Sequence, residues 1–190
     1  MKYIQITFIA LLFGLSNSVN AQQAFNLESS KIKWIGKEIS TKSHYGTLYF
    51  SSVTLDFDGE TLNGGEFVVD MSTLQVDDLT GGSKKRLEGH LKSDDFFSVE
   101  DHSAATLVIT QPAKPENQLY NLEGTLTIKG ITHPIQFTIS GSSTSENITA
   151  KLVFDRSKYN VRFRSGTFFE NLGDKLILDP IELEVTLVKS

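Results

Sequence analysis

The sequence contains no cysteine. That absence removes disulfides, thiol nucleophiles and thiolate metal ligands together, so stability has to come from burial alone. Beyond residue 21 no stretch approaches the roughly 20 apolar residues that a membrane-spanning helix needs. The chain also lacks a basic stripe: 23 acidic residues outnumber 18 lysines and arginines, giving a formal charge of −5. Without a concentrated positive surface there is no electrostatic footprint for nucleic acid. No repeat of fixed period and no low-complexity segment occurs, which argues against a solenoid or a propeller. Neither Gly-x-Ser-x-Gly nor Ser-x-x-Lys with its companion motifs is found, so the common hydrolytic nucleophiles have no address here.

What is present begins with a leader. Lys2 supplies a positive start, Ile4 to Leu15 an apolar run, and Val19-Asn20-Ala21 a small-residue cleavage pattern. Residues 1–21 therefore read as a signal peptide, with the mature chain starting at Gln22 and destined for the periplasm or for secretion. No cysteine follows the cleavage site to carry a lipid anchor. Removing the leader takes away 21 residues and one charge, Lys2, leaving residues 22–190 as a single domain with a formal charge of −6 and enough length for a sizeable core.

That domain reads as mostly β. Phe25 to Ile39 forms a first extended stretch containing Ile32 and Trp34. Residues 45–50 and 53–57 alternate as two strands, and Asp58-Gly59 then supplies a turn that tolerates positive φ. Glu66 to Asp70, Thr106 to Gln111, Tyr120 to Lys129, Ile131 to Ser140 and Ile148 to Asp155 continue the pattern. Tyr159 to Phe163 is expected as a short further strand and Gly166 to Gly173 as a loop. The last strand alternates Ile181, Leu183, Val185 and Leu187 with polar residues, which means one dry face and one wet face. Pattern alone leaves a closed barrel and two stacked sheets both open. A barrel of about eight strands has room inside for its own side chains or for one small ligand. Eleven of the thirteen phenylalanines follow the leader and are available to line it.

One segment departs from period-two alternation. Ser83 to Glu100 reads SKKRLEGHLKSDDFFSVE, with Leu87 and Leu91 at helical spacing. Ser83 is a plausible N-cap. The cap is weak, because Lys84, Lys85 and Arg86 oppose the helix dipole and Arg86 stands where a capping box wants an acid or amide. Packing through the two leucines has to hold it. Ser93-Asp94 reads as a cap for the turn that follows. The segment is expected to lie as a cover against the strands, with Phe96 and Phe97 facing the interior.

Several runs together resemble one bacterial family. They are Ile32 to Gly36, Gly65 to Asp70, Gly89-His90-Leu91-Lys92-Ser93-Asp94-Asp95-Phe96-Phe97, Leu122 to Gly130, Phe154 to Val161 and Asp179 to Leu183. In this order they resemble the YceI-like polyisoprenoid-binding proteins. The resemblance implies an extended lipocalin-like antiparallel β-barrel of about eight strands, with a short helical segment near residues 83–97. It implies an apolar tunnel for a long isoprenoid, a quinone or a similar amphiphilic lipid, and no catalysis. Storage or transport of that lipid in the cell envelope follows, with transient membrane contact and a homodimer both compatible. The chain departs from the family pattern at Ser98 and at His102-Ser103, so the turn before Ala104 is expected to differ.

The aromatic residues Trp34, Phe67, Phe96, Phe97, Phe137, Phe154 and Phe163 are the candidate ligand contacts. For each, ordinary core packing is the competing reading, and in a lipid-holding barrel the two merge. Two rival functions start from other residues. His90 beside Asp94 and Asp95 suggests an acid–base site in a small envelope enzyme, and a β-module without a cavity would serve only protein interaction. His44, His90, His102 and His133, with Asp94 or Asp95, are the candidate metal ligands, but none has ligand spacing, so neither a metal nor a cofactor is expected.

Overall fold

The computed structural model describes residues 21–22 and 24–190, with side chains from residue 24 onward. The signal-peptide reading therefore lies, apart from residue 21, outside the described residues. Nine strands form one antiparallel sheet: β1 (Ala21–Gln22), β2 (Lys31–Lys37), β3 (Ser43–Asp58), β4 (Thr61–Asp70), β5 (Ala104–Ile109), β6 (Leu119–Ile128), β7 (Ile131–Ser140), β8 (Asn147–Asp155) and β9 (Pro180–Val188). In space they run β1-β3-β2-β9-β8-β7-β6-β5-β4, and β4 pairs back onto β3. That last pairing closes β2 to β9 into an eight-stranded barrel, with β1 alongside β3. Closure removes the unpaired edges that an open sheet would expose.

The expected strands at 45–50 and 53–57 are one strand, β3. Its register against β4 shifts between Phe50 and Ser52, a β-bulge. One extra residue reverses the phase of alternation. Gly46, Leu48 and Phe50 are buried before the bulge, and Val53, Leu55 and Phe57 after it. A change from even to odd inward positions looks like a strand break in sequence and is a bend in space. The Asp58-Gly59 turn forms as expected, with Gly59 at φ 59°.

Strand direction sorts the connections. Up one end run the short turns 59–60 and 141–146 and the loop 110–118. At the other end lie the 38–42 and 129–130 turns and both long connections, 71–103 and 156–179. The first long connection contains the helix α1 (Gly81–Lys92). Before reaching it, the chain runs beside β3: Thr47 and Gln75 exchange backbone hydrogen bonds at 3.2 and 3.0 Å, and Asp77 N donates to Tyr45 O. Gly46 makes this possible, since a Cβ there would stand 1.8 Å from Gln75 O.

The second long connection corrects an expectation. Residues 159–163 are not a strand: Arg156–Tyr159 is a 3-10 turn, ended by Asn160 in the left-handed region at φ 57°. The reason lies in the barrel wall. The ladder between β7 and β8 holds only Thr138–Lys151, Ile139–Ala150 and Ser140–Thr149. Above it the strands part, and Tyr159, fully buried, packs edge-on against Phe154 and His133. An extended 159–163 would leave that seam unfilled. Burial raises the Tyr159 phenol above its ordinary pKa, with Asp155 adding to the effect. Pro134 sits in β7 within the stretch not paired to β8, where a missing N–H breaks no ladder bond on that side.

Candidate ligand-binding site

The barrel is filled at one end and hollow at the other. At the end of the short turns, Leu55, Leu62, Tyr120, Ile139, Ile148 and Leu187 are fully buried against one another. Toward the end of the long connections the interior holds a cavity of about 420 Å³, within the range of small-molecule sites. Its walls are the inward residues of the strands, among them Ile32, Leu48, Phe50, Phe67, Leu126 and Leu152. Polar lining is confined to residues near the end of the long connections: Lys37, Glu38, His44, Ser83, Arg86, His90 and Arg164, with Thr106 on the wall.

All seven aromatic candidates, Trp34, Phe67, Phe96, Phe97, Phe137, Phe154 and Phe163, line this cavity. Sequence reasoning missed Phe50, Leu48 and Met71, which line it too. Phe50 and Leu48 carried the same alternation signal as the chosen residues. Arg86 and Arg164 were also missed, and nothing local distinguishes them from solvated surface arginines.

The cover is α1 with the turns after it. Thr80, not Ser83, is the N-cap residue, and its side chain makes no capping bond; Ser83 lies within the first turn. Packing does the work instead. Leu91 is buried, Leu87 packs against the core, and Glu88 Oε1 accepts from Val76 N at 2.9 Å. Ser93 is the C-cap of α1, correcting its reading as a cap for the next turn: its hydroxyl donates to His90 O at 2.8 Å. Its backbone carbonyl, rather than its side chain, accepts from Phe96 N and Ser98 N. The Asp94 carboxylate accepts the Ser98 hydroxyl at 2.9 Å. Ser98 itself is buried at φ 49°, the point where the chain departs from the family pattern.

Two cations, one half-buried and one fully buried, fasten the cover. Lys129 Nζ donates to Phe96 O at 3.0 Å, Asp94 O at 3.3 Å and Asn160 O at 3.4 Å, joining three connections. Burial lowers its pKa, and Asp94 and Asp95 work against that. Arg156 is fully buried. Its guanidinium donates to Val161 O, Phe163 O, Ile177 O and Leu178 O. Asp179 Oδ1 lies 3.2 Å from Nη2 as an ion pair without hydrogen-bond alignment, and the Phe96 ring is 5.5 Å from the charge. Burial lowers the arginine pKa, opposed by Asp179 and Asp155. Four carbonyls on one guanidinium hold the 156–179 connection over the barrel end.

The histidines are dispersed. His44 Nδ1 is 2.7 Å from Asp78 Oδ2, and His133 Nε2 is 3.0 Å from Lys158 O. Burial raises the Asp78 pKa, but the hydrogen bonds from His44 and Tyr45 N prevail and hold it below the usual value. His90 turns toward rings rather than acids, with centroids 5.6 Å from Phe96 and 4.3 Å from Phe163. Asp94 and Asp95 are exposed. Among the described residues no hydrogen bond or ion pair joins His90 to either acid, and no three His, Asp or Glu side chains group as metal ligands. The acid–base constellation is thus not assembled.

The fold is thus a closed antiparallel eight-stranded barrel with one short helix, hollow at one end and roofed there by two long connections. The chain belongs to the YceI-like domain family, which matches it over residues 24–188. It is 25% identical over 135 residues to a UPF0312 protein of Pectobacterium atrosepticum, covering 70% of this chain and 68% of that one. The crystal structure of Burkholderia cenocepacia BcnA superposes with a TM-score of 0.67 at 20% identity, covering 87% of this chain and 99% of that one. A polyisoprenoid binding domain from Saccharophagus degradans, implicated in plant cell wall breakdown, gives a TM-score of 0.58 at 14% identity over 90% and 99% of the two chains.

Proposed function

We propose that the protein holds the apolar tail of an isoprenoid or similar amphiphilic lipid in the barrel cavity, for storage or transfer within the cell envelope. It acts by binding and not by catalysis. The observation that carries this reading is the cavity, apolar along its walls apart from Thr106 and otherwise polar only near the end of the long connections. Family membership and the likeness to a polyisoprenoid binding domain support it.

Burying one five-carbon unit from water is worth about 4 kcal/mol at ~0.8 kcal/mol per carbon. A lipid arrives from a membrane that is equally apolar, so the exchange between bilayer and barrel is close to neutral. Shape and head-group contacts then decide loading, while the high cost of exposure to water keeps a loaded lipid inside.

Organic extraction of the purified protein followed by mass spectrometry is the direct test. A lipid recovered near one per chain is expected. Protein that yields no lipid and takes up none after delipidation is no carrier. Phe137→Asp or Phe154→Asp is expected to abolish uptake, because each places a charge in the apolar wall. Fractionation of cells is expected to recover the protein in the periplasm or the medium.

A further inference from the structure

We propose that the mouth of the cavity selects amphiphiles with an anionic head group, a carboxylate or a phosphate, through Arg86 and Arg164. This rests on the reading that a lipid tail fills the barrel, and it names the head that the tail carries.

The charged and titratable groups lining the cavity are Lys37, Glu38, His44, Arg86, His90 and Arg164. Most already have partners. Lys37 is paired with Glu182, His44 with Asp78, and Glu38 accepts the Ser40 hydroxyl. Among the described residues Arg86 and Arg164 form no ion pair, although the chain as a whole is acidic at −5. Arg164 lies 5.0 Å over the Phe163 ring, a contact that positions the guanidinium and leaves its forked donors available. Two guanidinium groups without an ion-pair partner outnumber the one unpaired carboxylate of the lining, Glu38, and suit a carboxylate or a phosphate, which they bind in bidentate fashion.

A second observation points the same way. Ser83, Arg86 and His90 follow one another at helical spacings of three and four residues, so they share one face of α1, and all three line the cavity. His90 Nε2 is buried without a hydrogen-bond partner. Buried ring nitrogens are ordinarily satisfied. A ligand oxygen held beneath Arg86 would satisfy this one. A neutral head, such as an alcohol or a quinone carbonyl, could use His90 or a guanidinium N–H but would leave both positive charges without a counter-charge.

The test compares four C20 chains that differ only in the head: geranylgeraniol, geranylgeranoic acid, geranylgeranyl phosphate and geranylgeranylamine. Binding to delipidated protein is read from the emission of Trp34, the single tryptophan, which stands in the cavity wall. The acid and the phosphate are expected to bind about tenfold or more tightly than the alcohol, and the amine most weakly. In Arg86→Gln/Arg164→Gln that preference is expected to fall to about threefold or less while alcohol affinity stays within about twofold, with Arg86→Lys/Arg164→Lys recovering part of it. Circular dichroism melts establish that the variants fold. Phosphate bound above carboxylate assigns a phosphorylated head; the reverse assigns a carboxylic acid, and either supports the proposal. An alcohol bound as tightly as both anions, or a preference that survives in the double glutamine variant, overturns it and leaves the carrier reading standing. If no chain binds, the carrier reading fails and this inference with it.

Discussion

The two ends of the barrel are made from the same eight strands with the same alternation, yet one is solid and the other hollow. At the solid end the strands are joined mostly by short turns. Leu62, Ile139 and Ile148 are fully buried there together with Tyr120, whose hydroxyl donates to Glu60 O at 2.9 Å. At the hollow end the 71–103 and 156–179 connections leave the wall and fold over it. They are held by polar anchors: Trp34 Nε1 to Gln75 O, Glu88 to Val76 N, Lys129 to three carbonyls and Arg156 to four. Side chains packed to density maximise dispersion contacts. A roof fixed by hydrogen bonds at its margins spans a space without filling it. The comparison teaches that the cavity lies where the two long connections and their anchors roof the barrel, at the end where β7 and β8 part.

The largest effect is expected where the roof is anchored. Arg156→Met leaves four carbonyls without their donor and the Asp179 carboxylate without its counter-charge, and should cost about 3–5 kcal/mol, measured by urea denaturation. A loss under about 1 kcal/mol would mean that the roof does not depend on this anchor. Next come matched leucine truncations. Leu62→Ala, at the solid end, should cost about 2–5 kcal/mol. Leu126→Ala, on the cavity wall, should cost about 2 kcal/mol or less, since a side chain facing a void has fewer neighbours to lose. Equal losses at the two positions would contradict the division into solid and hollow ends. Smaller again is the effect of filling the space: a bound apolar ligand at about 100 times its Kd should add ~2.7 kcal/mol of stability. That gain should vanish in Phe137→Asp, as read from thermal melts.

The smallest expected effect is at Asp78, beside the mouth. Its pKa in the folded chain lies below the ordinary aspartate value of about 3.9. A depressed carboxyl stabilises the fold above that ordinary value, and the contribution is lost as pH falls below it through the folded-state pKa. Asp78→Asn should therefore be slightly destabilised at pH 7 and show a flatter decline than the unaltered chain as pH falls below the ordinary aspartate value. Parallel acid profiles for the two proteins would remove the His44–Asp78 pair from the stability of this end.

Much of this architecture was legible before any coordinates. The alternation of β9, the Asp58-Gly59 turn, the helix at Leu87 and Leu91 and the inward Phe96 all follow from local periodicity and turn chemistry. So do the seven aromatic residues, since large apolar side chains at inward positions of a closed barrel have few other places to go. The errors share one cause. The bulge in β3, the turn at 156–159 and the place of Arg86 and Arg164 on the cavity lining depend on residues far away in sequence. The seam that Tyr159 fills exists only because β7 and β8 part, and Arg156 reads as an ordinary charged residue until four carbonyls converge on it.

What the sequence by itself determined was which residues turn inward and where the chain leaves the sheet, because both are set by side-chain alternation and local turn propensity. Only the tertiary structure decided that β9 pairs with β2 and so closes the barrel, that both long connections fall at one end, and that the space beneath them stays open. Those outcomes depend on the pairing of Lys31 to Ile35 with Glu182 to Thr186, at opposite ends of the domain, and on long-range hydrogen bonds, which leave no periodic trace along the chain.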